Sequence, residues 1–293
     1  LVLFKKNKFS LFKMSVRFKK NISKSHKEFR SPSPVCYSRG GCYNNFNDKL
    51  GVYVINCSGH KERLGKFKRY AQEAGVRACR VPCIKGKQFS DRKLCRMVNE
   101  GLLSPEAEMT KIEVSINISH YNCWMKLLNS CRDYALVLED DVEVKPDFIK
   151  NINLIMDSLY KHKIHFSILF LWNGNWQRTK SKQKSVLKIN DQLQVLQETV
   201  KYNAGAAAYI ISREYAEWLT TPKRFFPIQM PQDIMMGSYV NHGRHLTLKM
   251  KYDKKQQCYV SPLLDMPCGG EGGTGVSTQE YTAPTVKEFL KCK

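Results

Sequence analysis

Tyr134-Ala135-Leu136-Val137-Leu138-Glu139-Asp140-Asp141-Val142 is the stretch from which the fold can be read. Four consecutive apolar residues, Ala135 to Leu138, bounded by polar ones, read as a short strand buried on both faces. The strand runs directly into three carboxylates. Burying an unpaired carboxylate costs several kcal/mol, so the three belong where the strand leaves the sheet. In open α/β sheets the carboxyl ends of the strands form the ligand-binding edge. Adjacent acids repel, and a divalent cation relieves that repulsion. Hard oxygen donors select Mn²⁺ or Mg²⁺. Taken alone, the triplet also fits a solvated acidic turn before a helix that starts near Pro146.

The chain has 293 residues, enough for one large α/β domain with an extension or for two small domains. Its formal net charge of +22 favours anionic partners: nucleotide phosphates, nucleic acid or an acidic membrane surface. The charge is uneven, because residues 1–48 carry many Lys and Arg and only Glu28 and Asp48 as acids. This segment, with Ser-Pro-Ser-Pro at 31–34, reads as a mobile basic arm. Residues 1–30 are the part suited to peripheral contact with an anionic membrane. The chain opens on Leu1, with Met14 further on, as a fragment or an upstream translation would. No run of about 18 apolar residues predicts a spanning helix. The eleven cysteines are scattered without a CxxC pair or a zinc-like Cys/His spacing. They read as small buried hydrophobes in a reducing compartment, which makes the cytoplasm the expected location and a lumenal protein with some bridges the alternative. Sequons at Asn56 and Asn117 fall in predicted regular structure and decide nothing.

Working outward, Gly51-Val52-Tyr53-Val54-Ile55-Asn56 predicts the first strand. Cys57-Ser58-Gly59 forms a turn, and Leu64, Phe67, Tyr70 and Ala71 give the next helix, Lys61–Ala74, its apolar side. Strand, short loop and helix open a nucleotide-binding α/β unit, and Arg63 in the first helical turn is placed to reach a phosphate or a base. The loop has neither a GxGxxG nor a Walker pattern, so neither a dinucleotide site nor a P-loop is supported. Arg77–Val81 reads as a second strand, Ser90–Glu100 as a helix, and Ser104-Pro105-Glu106 as a helix start. Ser115–Cys131 predicts a helix on which His120 reads as a packed, hydrogen-bonded residue. Residues 177–192 read as loop or edge. The small-residue strand Ala204–Ile211, with Gly205 near its start, allows a ligand close approach, and Ser212 caps the helix that follows. Asp233 begins a further helix. Residues 266–293, with Gly-Gly-Glu-Gly-Gly at 269–273, form a Gly-rich loop and tail. The resulting organisation is a basic arm at 1–48, an α/β domain at 49–265 and a tail at 266–293.

Several of these stretches resemble glycosyltransferase family 25, which contains lipopolysaccharide and collagen sugar transferases. That family opens with a strand ending in Ile-Asn and an Arg in the next helix, matched by Ile55, Asn56 and Arg63. Ile84-Lys85-Gly86-Lys87 is similar to its Gly-containing segment. Ser119, His120 and Trp124 match its Ser-His-x-x-x-Trp, although Ser115-Ile116-Asn117 stands where Gly-Cys-Ala is expected. Glu139-Asp140-Asp141-Val142 matches completely. Tyr209, Ile210, Ser212 and Ala216 match a further segment, and Pro231-Gln232-Asp233 resembles Pro-x-Asp.

The resemblance implies a GT-A type fold, with a mostly parallel central sheet and helices on both faces. It implies transfer of a hexose, galactose or glucose, from a UDP-sugar to a glycan, lipid-linked or protein hydroxyl with inversion. On this reading Asn56, Arg63, Glu139, Asp140 and Gly205 bind the donor, with Glu139 and Asp140 holding ribose, base or metal-bound water. Asp141 ligates Mn²⁺ or Mg²⁺, His242 (or His245) completes the shell, and Asp233 takes the proton from the acceptor hydroxyl. Two other classes compete: a family fold that binds without catalysing, and a basic nucleic-acid binder. Three retained acids speak against the first. The acids would repel a phosphate backbone, so no specific nucleic acid is expected.

Overall fold

The computed structural model describes residues 49–172, 183–198, 206–239, 243–255, 258–265 and 285–289. The 1–48 arm and the 266–284 segment lie outside them. The acidic stretch forms β3 (Tyr134–Glu139) in the middle of an eight-stranded sheet. β1 (Leu50–Asn56) pairs with it in parallel, and β2 (Cys79–Pro82) pairs in parallel with β1. On the other side of β3 lies β8 (Ala208–Ser212), followed by β5 (Ile168–Phe170), β9 (His245–Leu248), β7 (Gln194–Gln197) and β6 (Lys184–Lys188), while β4 (Glu143–Val144) pairs separately with Leu264–Asp265.

The expected α/β sheet is present, and its direction is mixed. β2, β1, β3, β5, β9 and β6 run one way, while β8 and β7 are reversed. The reversed β8 sits between β3 and β5, so the carboxyl end of β3 meets the amino end of β8. The Lys-rich stretch offered as loop or edge supplies β6, an edge strand whose lysines face water.

Two apolar cores lie on the two faces, as the alternation along each strand dictates. Leu136 and Leu138 point to one face. There they pack with Val52 and Val54, with Phe67 and Ala71 of α1 (Lys61–Glu73), and with Phe148, Ile152 and Ile155 of a helix at Phe148–Lys161. Ala135 and Val137 point to the other face. That face carries α2 (Asp91–Asn99), α3 (Lys111–Leu128) and the helix at Phe148–Lys161's successors in sequence, Arg213–Leu219 and Gln232–Ser238. Numbered in order, the helices at 148–161, 213–219, 222–225 and 232–238 are α4 to α7.

α3 is the central helix of the second face, and even its polar residues Ser115, Asn117, Ser119 and His120 are buried. It does not begin near Ser104. Thr110 is its N-cap, accepting from the Glu113 N–H, while the Glu113 carboxylate accepts from the Thr110 N–H at 2.6 Å. This reciprocal capping box outcompetes the Ser104-Pro105-Glu106 signal. At the other end Arg213 spreads its guanidinium over the carbonyls of Leu127, Leu128, Ser130 and Arg132 at 2.6–3.1 Å. Leu127 and Leu128 stand in the last turn, whose carbonyls a helix end leaves without intrahelical donors, and Ser130 and Arg132 lie just beyond it.

Gly86 opens the 3₁₀ turn Gly86–Gln88, which presses on the first turn of α3. A Cβ there would stand 2.9 Å from the Ile112 side chain and 3.0–3.1 Å from its backbone N and Cα. Gly65, on α1, has open space where its Cβ would be. Gly86→Ala is therefore expected to destabilise the fold by about 1–3 kcal/mol through overpacking. Gly65→Ala is expected to stabilise it by up to about 1 kcal/mol. Urea unfolding midpoints of the two variants check the contrast.

Candidate functional site

β1 ends in Asn56, one residue beyond the level of Glu139, since Ile55 pairs with Glu139. Asn56 is 2 % exposed, and every donor on its amide is used. Its Nδ2 donates to the Asp140 carboxylate and to the carbonyl of His60 at 3.1 Å. Its Oδ1 accepts from Arg80 Nε at 2.8 Å. One amide thus ties the ends of β1, β2 and β3 and the 57–60 turn together. Asn56 therefore shapes the site. Arg80 was missed from the sequence, where an exposed strand Arg carries no signal of this partner.

Arg63, in the first turn of α1, faces both aspartates, 3.7 Å from Asp140 Oδ1 and 3.6 Å from Asp141 Oδ2. Burial pushes the Asp140 carboxyl up, while the Asn56 hydrogen bond and Arg63 pull it back. Burial, aggravated by the charge of Glu139, pushes Asp141 up to about 7 against the pull of Arg63. Asp141 Oδ1 is buried with no hydrogen-bond partner. An orphaned hard oxygen beside two further acids is the donor chemistry that Mn²⁺ or Mg²⁺ takes. Among the described residues no group of three or more His, Cys, Asp or Glu is arranged to hold a metal by itself.

Glu139 is the third residue on the α3 face of β3, after Ala135 and Val137. His120 of α3 lies against it, Nε2 at 3.3 Å from Glu139 Oε1. His120 Nδ1 lies 2.9 Å from the Tyr209 hydroxyl, which also accepts from Trp124 Nε1 at 2.9 Å. His120 is fully buried and hydrogen-bonded, as expected, and it is joined to one of the acids, which spacing along the chain did not show.

The structure therefore brings Asn56, Arg63, Glu139, Asp140 and Asp141 to one edge. Asp233 opens α7 on the α3 face, where its Oδ1 accepts from the Ile234 N–H at 2.8 Å. Gly205 and His242 lie outside the described residues. His245 is not a partner of Asp141. It pairs with Ile168 at the start of β5, level with Ala135, and its own strand β9 is three strands away from β3. That is roughly 13 Å along the strands from Glu139. Its Nε2 bonds the Tyr215 hydroxyl at 2.9 Å, and burial lowers its pKa to about 4.

The cysteines correct the reading of free thiols. Cys57 and Cys83, the residues after Asn56 and Pro82, form a disulfide across the ends of β1 and β2. Cys79, Cys95 and Cys131 are also disulfide-bonded, and Cys123 is a buried free thiol. The cue lay in where Cys57 and Cys83 fall, each just past the end of a neighbouring parallel strand. The sequon asparagines Asn56 and Asn117 are buried. Among the described residues no helix is long and apolar enough to cross a membrane.

The family model described as Glycosyltransferase family 25 (LPS biosynthesis protein) matches residues 49–236. A glycosyltransferase 25 family member of Aedes aegypti is 27% identical over 264 residues, covering 83% of this chain and 40% of the relative. Human procollagen galactosyltransferase 2 is 23% identical over 248 residues, covering 81% of this chain and 38% of the relative. A family member of Anopheles gambiae is 33% identical over 109 residues, 34% of this chain and 18% of the relative. The chain thus spans about 40% of the length of the first two relatives.

The strained acid has a measurable cost. An unfolded Asp titrates near 3.8, and Asp141 in the fold near 7. Between those values the folded chain holds the extra proton, so stability from this group falls as pH rises through about 4 to 7. Asp141→Asn is therefore expected to raise unfolding stability in EDTA by about 4 kcal/mol at pH 8 and by less than about 1 kcal/mol at pH 4. Chemical denaturation at the two pH values checks it.

Proposed function

Because the chain belongs to glycosyltransferase family 25, we propose that it transfers a hexose, galactose by analogy with its relatives, from a UDP-sugar to an acceptor hydroxyl. The observation that carries this reading is the acidic edge of β3. Two aspartates face Arg63, and the buried Asp141 Oδ1 has no partner. On this reading the fold is of the GT-A type, and Asp141, with Asp140 close by, is the side chain that would hold Mn²⁺ or Mg²⁺. The bound cation would neutralise charge that builds on the diphosphate as the sugar departs.

The chain's own groups have separate tasks. Arg63 is 39 % exposed and sits at the start of α1, within reach of a donor phosphate once the acids no longer need it. Glu139 offers an acceptor to the ribose, the base or bound water. Gly205, before the small residues Ala206 to Ala208, gives the sugar room to approach. Asp233 takes the proton from the acceptor hydroxyl, whose oxygen attacks the anomeric carbon as the bond to the diphosphate breaks on the opposite side. That displacement inverts the anomeric centre. His242 is the candidate for an additional ligand.

The similarity to a procollagen galactosyltransferase favours a protein hydroxyl as acceptor over a lipid-linked glycan. The five disulfide-bonded cysteines among the described residues favour an oxidising lumen over the cytoplasm. In the test, purified protein is heated with UDP, with Mn²⁺, and with both. Only the pair is expected to raise Tm, and Asp141→Asn is expected to abolish that rise and the Mn²⁺-dependent hydrolysis of UDP-galactose. Hydrolysis unchanged by EDTA and by the substitution would remove the metal from the account.

A further inference from the structure

The hydrogen bonds behind Glu139 leave one arrangement of protons. An indole N–H only donates, so the Tyr209 hydroxyl must accept from Trp124 Nε1 at 2.9 Å. The tyrosine then has one hydrogen of its own to place. His120 Nδ1, at 2.9 Å, is the acceptor the structure gives it. If His120 carried its proton on Nδ1, the hydroxyl would accept twice and its hydrogen would be buried without a partner, which is costly. Tyr209 is fully buried, and burial keeps it a phenol. The imidazole proton must therefore sit on Nε2, which faces Glu139 Oε1 at 3.3 Å. The opposite tautomer would set a lone pair against a carboxylate oxygen. The two ends of the chain of bonds demand the same answer.

We infer that Trp124, Tyr209 and His120 form a fixed-polarity relay that holds Glu139 by one oxygen and leaves the other for a hydroxyl or amide of the nucleoside part of the donor. This deepens the donor reading and rests on it. The three are positioning residues, since they act through Glu139. The register explains how they meet. Tyr209 pairs with Val137, two residues before Glu139 on the same face of the sheet, and His120 and Trp124 lie one helical turn apart on α3. Val137 and Tyr209 share one apolar core with Trp124, so the relay runs through a dry interior to the site's edge. In that setting a hydrogen bond is strong and a missing one is expensive.

Two measurements test the relay. The first is ¹⁵N NMR of the histidine ring in the unmodified full chain at neutral pH, which reads the tautomer directly and needs no variant. His120 is expected to carry its proton on Nε2, and to keep it there in Glu139→Gln, because the buried end sets it. The second is a double-mutant cycle on UDP affinity in Mn²⁺. Tyr209→Phe is expected to weaken binding roughly tenfold, the effect of a hydrogen bond to a charged group, raising donor KM with kcat nearly unchanged. In the Glu139→Gln background the same change is expected to have no further effect. A proton on Nδ1, or a loss of affinity equal in both backgrounds, overturns the relay. A wild-type ring protonated on Nε2 in a protein that binds no UDP with Mn²⁺ overturns the donor reading instead.

Discussion

Carboxylates do not gather at the end of a buried strand without something to answer them. At the end of β3 the answer is shared among neutral and cationic neighbours, and it is incomplete. Asn56 serves Asp140, His120 serves Glu139, and Arg63 stands between the two aspartates without closing tightly on either. What remains unsatisfied is one buried oxygen of Asp141. The rest of the fold can be understood as the frame that keeps this deficit in place. β1 and β2 bring Asn56 and Arg80, α1 brings Arg63, and α3 and β8 bring the His120–Tyr209 pair. Sites of this kind trade stability for function, because a group strained in the empty protein is a group ready for a ligand.

Much of that frame was legible in the chain. The run Ala135–Leu138 reads as a strand buried on both faces, and the two cores bear it out. Ser212 as a cap, Arg63 in a first turn and His120 as a packed residue follow from local chemistry and are found as read. Direction was not legible. Ala207 to Ile211 announces a buried strand in either orientation, and nothing in its composition shows that β8 runs against β3. That reversal puts Tyr209 beside Val137, and so the relay behind Glu139 had no signature in the spacing of residues. The same holds for Arg80. Its partner lies 24 positions earlier, and only the parallel pairing of β1 with β2 brings them together.

The cysteines teach a related lesson. Scattered spacing suggested free thiols, but disulfides depend on proximity in space. Cys57 and Cys83 each follow the last residue of one of two neighbouring parallel strands, so the sheet itself brings them together. The link closes the turn after Asn56 onto the segment that leads to Gly86 and α3. The edge of the sheet where the acids stand is thereby fastened on the β1–β2 side by a covalent bond and on the β3–β8 side by hydrogen bonds.

Arg213 touches none of the acids at the end of β3. Its guanidinium grips the carbonyls at the far end of α3, about two helical turns beyond His120. A helix held at its tail by a rigid fork cannot creep along its own axis. A lysine there would offer a single point charge on a supple stem, and the rod could settle a fraction of an ångström out of step with the strand beneath it. Damage at the quiet end of the molecule would then be felt at the chemical end, and a survey of variants by function alone would file a distant structural arginine among the residues of the site.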